Sequence, residues 1–227
     1  MHNLALLARH RGATPSDGNP VDAAFGTDTA GIREVGSLDV GGTAACAATR
    51  YEPSGAGMVR ATLAQLGIDY ADYAFVDYGS GKGRVLIVAA GFAFKSVAGV
   101  EFSRELHEIA EQNIALLPPE AVRAAVVSAL HGDAAAFEPP PGNLVCYLYN
   151  PFGPPVISQV ARRLASHRDE SGCRVIVVYV DPVHRAAFEE IGKFVVVEDR
   201  PNILILTTLP AGGETTTPGP ASPVAER

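Results

Sequence analysis

A short apolar run, Ala74-Phe-Val76, ends in an acid, Asp77, and three glycines follow at alternate positions, Gly79, Gly81 and Gly83. An apolar helix-like stretch, Val85 to Ala90, comes next. A second β-like run, Ser96 to Val100, then ends in another acid, Glu101. Strand, glycine turn, helix and strand in this order predict a nucleotide-type site at the carboxyl ends of parallel strands. Glycine lets the backbone turn sharply and lets a ligand approach without meeting a Cβ. A carboxylate roughly twenty residues beyond the turn suits a ribose diol, because an ionised acid only accepts hydrogen bonds.

Three glycine-rich loops compete for this turn. A phosphate-gripping loop requires G-x-x-x-x-G-K-[ST], but Lys82 is followed by Gly83, so no hydroxyl is placed for Mg²⁺. The dinucleotide fingerprint is G-x-G-x-x-G; here the spacing is G-x-G-x-G, and Arg84 occupies the third fingerprint position. That spacing weakens a nicotinamide-dependent oxidoreductase. A nucleophile elbow would need glycine two residues before Ser80, where Tyr78 stands. What remains is a cofactor without phosphates, its amino-acid end held by an acid and its sugar lying over the glycines. The bland alternative is a structural βαβ unit with an incidental turn.

Asp77-Tyr-Gly-Ser-Gly-Lys-Gly83, together with Gly99-Val-Glu-Phe-Ser103, resembles motif I and the acidic post-I loop of class I S-adenosylmethionine (SAM) methyltransferases. The longer run from Phe75 to Ile114 resembles a bacterial group of such enzymes that is itself similar to the non-SET protein-lysine methyltransferases. The resemblance implies that Asp77 and the backbone of Gly79, Ser80, Gly81 and Gly83 hold the methionine end of S-adenosyl-L-methionine. Glu101 would take the ribose hydroxyls, and Phe102 would lie against the adenine face. Asp133 would accept from the adenine amine, and Ala134 would offer a backbone N–H to the ring. A helix cap or turn acid is the competing reading of Asp133.

Tyr149-Asn-Pro-Phe152 resembles motif IV of amino-methylating enzymes, in which Asn-Pro-Pro-aromatic holds a target amine. On that resemblance Asn150, at the fourth converging strand end, meets both cofactor and acceptor, with Pro151 and Phe152 completing the catalytic turn. An Asn side-chain carbonyl can accept from an NH₂ group and aim its lone pair, and an aromatic ring can cover the target. The second proline of the pattern is replaced by Phe152, so the substrate class does not carry over, and an Asn-Pro turn ending a strand explains the same residues. Val21 to Gly31 and Tyr51-Glu-Pro-Ser54 also resemble the lead-in of the bacterial group, and in many class I enzymes an aromatic–Pro segment just before the fold packs over the cofactor. Tyr51 is the candidate there, or a turn residue packed on the sheet. Asp181-Pro-Val-His184 could supply a base, but reads more simply as an N-cap with proline at the first helical position.

The 227 residues, 47% hydrophobic and 19% charged, are ample for one globular domain with tails. No apolar run approaches the roughly 18 residues of a membrane span, and the N-terminus has too short an apolar part for a secretory signal. The cytoplasm is the expected compartment. Cys46, Cys146 and Cys173 form no C-x-x-C pair, and the histidines show no metal-ligand spacing, so no metal is expected. The net charge of −7 argues against a broad nucleic-acid-binding face. The resemblance and the net charge together rank a protein lysine slightly ahead of a small-molecule amine as methyl acceptor, and both ahead of a nucleic-acid base. A SAM-binding protein without transferase activity, acting as a sensor or using SAM structurally, shares the same cofactor signature and stays open as the alternative.

Residues 1–20 are expected as a flexible arm, 21–73 as a lead-in covering the cofactor site, 74–209 as the core, and 210–227 as a disordered tail. Within the core the pattern predicts strands at Ala74–Tyr78, Ser96–Glu101, Ala124–Leu130, Leu144–Tyr149 and Arg174–Val180, then a hairpin of Phe194–Val197 and Ile203–Leu206. Helices are expected from about Gly57 to Leu66, over Val85–Ala90, after Ser103 and after Pro154-Pro155, the last facing inward through Val156, Val160 and Leu164. A short helix is expected between Pro182 and Glu190. The fold class is α/β: a Rossmann-like, seven-stranded, mostly parallel sheet with helices on both faces and an antiparallel last strand.

Overall fold

A computed structural model of the chain describes residues 19–31 and 53–208. Tyr51, Cys46, the tail and most of the expected arm lie outside the described residues. The chain order is α1 (Pro20–Phe25), α2 (Ala56–Ala64), a 3₁₀ turn (Tyr70–Asp72), β1 (Tyr73–Tyr78), α3 (Arg84–Ala90), β2 (Ser96–Glu101) and α4 (Arg104–Ala115). After a second 3₁₀ turn (Pro119–Ala121) come β3 (Val127–His131), β4 (Asn143–Tyr149), α5 (Pro154–Ser171), β5 (Val175–Val180), α6 (Ala186–Glu189), β6 (Phe194–Arg200) and β7 (Ile203–Thr208).

The seven strands make one sheet in the order β3-β2-β1-β4-β5-β7-β6. β1 pairs in parallel with β2 on one side and β4 on the other, while β7 alone runs antiparallel, between β5 and β6. The order therefore reverses between β1 and β4, and the crevice beyond those strand ends is where such sheets bind ligands. β1, β4 and β5 are covered on both faces because their residues alternate between two cores. Val76, Tyr78, Cys146, Leu148, Val177 and Tyr179 pack with α5 and with Phe188 of α6. Phe75, Val145, Tyr147, Ile176 and Val178 pack with α3, with Val59 and Leu63 of α2, and with Val21 of α1. Every residue of α3 is buried, and a side chain such as Leu86 contributes roughly 1.5–3 kcal/mol by leaving water.

The expected sheet and helix order is present, with local differences. β3 begins at Val127, not Ala124, because the N–H groups of Ala124 and Ala125 donate to Ala90 O and Phe94 O and tie that stretch to the end of α3. On α5, Ile157 takes the inner position and Val156 is only partly buried. Asp181 is not an N-cap: its φ is +48°, its N–H donates to Asn202 O, and α6 begins only after Arg185. Asn19 caps α1 through its side chain, which accepts from Val21 N, so the last two residues of the stretch expected as an arm belong to this helix. No helix among the described residues is long and apolar enough to cross a membrane.

Candidate functional site

Asp77 is the penultimate residue of β1, paired with Gly99 near the end of β2, and the glycine turn after Tyr78 reverses tightly over Glu101. Gly79 and Ser80 both donate to Val100 O, at 2.9 and 3.1 Å. At φ +81° Gly79 occupies the left-handed region, and a Cβ there would stand 2.7 Å from Pro151 Cβ and 3.3 Å from Phe152 Cζ. A side chain at this position is excluded twice, by backbone conformation and by the Pro151-Phe152 roof. Gly99 on β2 answers a different need, because a Cβ there would lie 2.5 Å from that of Ser80.

The turn closes one wall of a cleft of about 600 Å³, lined by Pro53, Ser54, Asp77, Gly79, Ser80, Arg84, Val85, Glu101, Phe102, Tyr147, Tyr149, Pro151 and Phe152. The two strand-end acids thus share one compartment. Glu101, 4% exposed, accepts from Gly81 N through Oε2 at 2.8 Å and from Ser103 N through Oε1 at 2.9 Å. The Phe102 N–H acts on the same carboxylate, and a carboxylate offers about four lone-pair sites, so some acceptor capacity remains. Asp77 is 3% exposed, and no hydrogen bond reaches its carboxylate among the described residues.

Burial pushes the Asp77 carboxyl well above the ordinary range, and the neighbouring Glu101 charge adds to the effect. Burial also raises Glu101, while the N–H groups of Ser103, Gly81 and Phe102 and the nearby His131 pull it back. Two buried carboxyls that resist ionising side by side in one cleft are stabilised by a ligand bearing positive charge or several donors.

A second, smaller cleft adjoins the first through Phe102 and Phe152 and is lined also by Val100, Gly132, Asp133, Ala134 and Val156. Asp133 Oδ1 accepts from Ala135 N at 2.8 Å, which is the turn-acid role; among the described residues its other oxygen has no hydrogen-bond partner. His131 Nε2 lies 3.0 Å from Phe102 O and helps hold that residue between the clefts.

Other expected residues sit differently. Gly83 does not line the cleft: a Cβ there would meet Ala110 of α4 at 3.2 Å, so the residue serves helix packing. Gly81 reaches the site only through its N–H bond to Glu101. Phe152, 6% exposed, belongs to the core and roofs Gly79. Asn150 is not among the lining residues; it directly follows β4 at φ +35°, its N–H donating to Val180 O.

Residues the sequence reading overlooked complete the site. Tyr147, the register partner of Asp77, lines the cleft, and its hydroxyl donates to Ser54 Oγ at 2.9 Å. The two-residue alternation along β4, which puts Tyr147 and Tyr149 on one face, was the signal for both. Lys82 and Arg84 fasten the lead-in segment to the turn. Lys82 Nζ donates to Asp28 Oδ1 and Ala30 O, both at 2.9 Å, and Arg84 Nε donates to Thr29 Oγ1 at 2.8 Å. Asn113 on α4 joins them, donating to Asp28 O and Lys82 O and accepting from Asp28 N.

No family model and no curated protein matches the chain. Among solved structures it is similar to a predicted N6-adenine-specific DNA methylase from Listeria monocytogenes, at TM-score 0.52 and 16% identity over 70% of this chain and 52% of that one. It is also similar to the mitomycin 7-O-methyltransferase MmcR, at TM-score 0.50 and 16% identity over 68% of this chain and 53% of that one. The chain spans about half the length of each of these two structures. The likeness at such identities is one of fold alone: a Rossmann-like, seven-stranded, mostly parallel sheet with helices around it.

Proposed function

We propose that this chain is a SAM-dependent methyltransferase that delivers methyl to an amine nitrogen. The observation that carries the reading is the placement of Asp77 and Glu101, both almost wholly buried, on one cleft beneath a turn that tolerates no side chain at Gly79. SAM fits these residues by chemistry, since it brings a sulfonium and an ammonium to two adjacent carboxyls and a ribose diol to the remaining acceptor capacity of Glu101. Asp77 with the Gly79–Ser80 backbone would hold the amino-acid end. Phe102, Ala134 and the other oxygen of Asp133 would take the adenine.

Bound SAM supplies a methyl group already activated on sulfur. The protein's part is then alignment and exclusion of water, which can account for about 7–11 kcal/mol of barrier lowering. Pro151 and Phe152 roof the turn at Gly79 and leave no room there for a side chain. Asn150, directly after β4, would accept from the acceptor N–H and aim the nitrogen lone pair, once its extra proton has passed to water. The two neighbours named above are described as acting on an adenine N6 and on an oxygen, so the fold does not choose the acceptor. Placing a nucleic-acid base last finds no support there, one neighbour being described as a DNA methylase. A protein lysine or a small amine is preferred because the cleft and the chain are acidic.

Calorimetric titration of SAM and S-adenosylhomocysteine into the folded protein tests the reading. Saturable binding to a single site is expected, and its absence defeats the proposal. Incubation with tritiated SAM and a fractionated cell extract then asks which fraction (protein, nucleic acid or metabolite) gains label. Tight binding without any labelled fraction would favour a SAM-binding protein that transfers nothing.

A further inference from the structure

The only non-glycine residues with positive φ among those described are Asn150, at +35°, and Asp181, at +48°. They directly follow Tyr149 and Val180, which are register partners on β4 and β5, so the two left-handed residues lie side by side at adjacent strand ends. Such conformations cost of order 1–3 kcal/mol each and persist where the surroundings hold them, often at ligand sites. Here the β5 end is held by the hydrogen bond from Asp181 N to Asn202 O, at 2.9 Å, in the β6–β7 turn.

Asp181 lines a third cleft, of about 920 Å³, together with Met58, Tyr149, Arg200, Asn202 and Ile203. Tyr149 also lines the cleft of Asp77 and Glu101, so its side chain is a wall common to both. Among the described residues, the Asp181 carboxylate has no hydrogen-bond or ion-pair partner. The one cation on this wall, Arg200, is committed: its Nε pairs with Glu198 and its Nη2 donates to Gln65 Oε1 at 3.0 Å. Among the described residues this wall therefore carries one exposed negative charge without a partner, beside the apolar surfaces of Met58 and Ile203.

We infer that this third cleft is the acceptor's entrance and that Asp181 binds the cationic amine of an acceptor whose apolar stem lies along Met58 and Ile203. The inference rests on the methyl-transfer reading for its reaction, but the cation site can be tested apart from it. A lysine side chain in a peptide and a free alkylamine present the same chemistry, an ammonium on an aliphatic stem. Asp181 is a specificity-determining residue here; it takes no part in bond making.

The test uses hexylamine, hexanol and a lysine-containing acetylated peptide, titrated into wild type, Asp181→Asn and Asn202→Asp. Asparagine tolerates the left-handed conformation, so Asp181→Asn removes charge with little backbone penalty. Circular dichroism melts report whether each variant folds. Wild type is expected to bind hexylamine and not hexanol. Asp181→Asn is expected to weaken hexylamine binding by about tenfold, equivalent to about 1.4 kcal/mol, and to leave S-adenosylhomocysteine affinity within about twofold, while Asn202→Asp tightens the amine.

With tritiated SAM, the KM for the amine should rise in Asp181→Asn while kcat stays close to wild type. Stronger binding of the peptide than of hexylamine assigns the site to protein lysine, and the reverse to a small amine; either supports the cation site. Equal hexylamine binding by wild type and Asp181→Asn overturns the inference, even where S-adenosylhomocysteine binds. Hexylamine binding that depends on Asp181, in a protein that binds no S-adenosylhomocysteine, upholds the cation site and removes the methyltransferase reading.

Discussion

The backbone N–H of Gly81 donates to Glu101 Oε2 at 2.8 Å across twenty residues of sequence. This one bond clasps the glycine turn to the tip of β2, so the carboxylate that would hold a ribose also holds the loop beneath it. Replacing Glu101 by Gln turns one acceptor oxygen into a donor facing either Gly81 N or Ser103 N. An unsatisfied buried donor costs about 1–3 kcal/mol. Calorimetry should therefore find the affinity of Glu101→Gln for S-adenosylhomocysteine reduced at least about tenfold, with a lowered melting temperature.

Asp77 sets function against stability. Its carboxyl is held well above the usual value by burial and by Glu101, so the folded state binds that proton more tightly than the unfolded state does. The resulting stabilisation is fully present below the ordinary aspartate value of 3.8 and is lost as pH rises through the folded value. Ligand-free protein should thus lose melting temperature over that rise, and Asp77→Asn should flatten the profile. At neutral pH the variant should melt higher, by about 2–4 °C for each kcal/mol regained, yet bind SAM far more weakly. Wild-type affinity for this cationic ligand should climb with pH across the same window. A melting profile identical in wild type and Asp77→Asn would count against the geometry.

Gly79→Ala places a Cβ 2.7 Å from Pro151 at φ +81°. The left-handed conformation alone costs roughly 1–2 kcal/mol, and the contact adds to it by lifting the roof. Urea unfolding should show a loss at least that large, together with weakened S-adenosylhomocysteine binding. A proline-to-glycine change at Pro151 should recover part of both in the double variant.

Lys82→Met removes both bonds that hold residues 28 and 30 to the glycine turn. Since Asp28 is itself partly exposed, the loss is expected nearer about 1 kcal/mol than the value of a fully buried pair. Limited proteolysis should show faster cleavage within residues 19–31, with the core from residue 73 onward resistant. Unchanged cleavage would mean that Arg84 and Asn113 suffice to fasten the segment.

Asn150→Ala separates acceptor from cofactor. Affinity for S-adenosylhomocysteine should stay within a few-fold of wild type, while single-turnover methyl transfer to an amine falls by about 10²-fold, the scale of a lost positioning contact. A parallel fall in cofactor affinity would move Asn150 from the acceptor side to the cofactor side.

The order of strands and helices, the glycine turn and the acids at Asp77 and Glu101 could all be read from the chain by itself. Each depends on local periodicity or on conformations few residues other than glycine adopt. Relationships between distant residues could not be read that way. Lys82 meets Asp28, and Asn113 meets Lys82, across 54 and 31 residues of sequence, and nothing in either local pattern announces the other. Asp181 looked like a helix cap because proline follows it; the Asn202 carbonyl, supplied by a hairpin turn after two further elements, captures its N–H and bends it into the left-handed region. Gly83 matched a cofactor glycine by spacing, but Ala110 of α4 packs directly against it. Local chemistry determined which groups stand at the strand ends. Tertiary packing alone decided which of them face one cleft, because side-chain direction depends on what each neighbouring element leaves room for.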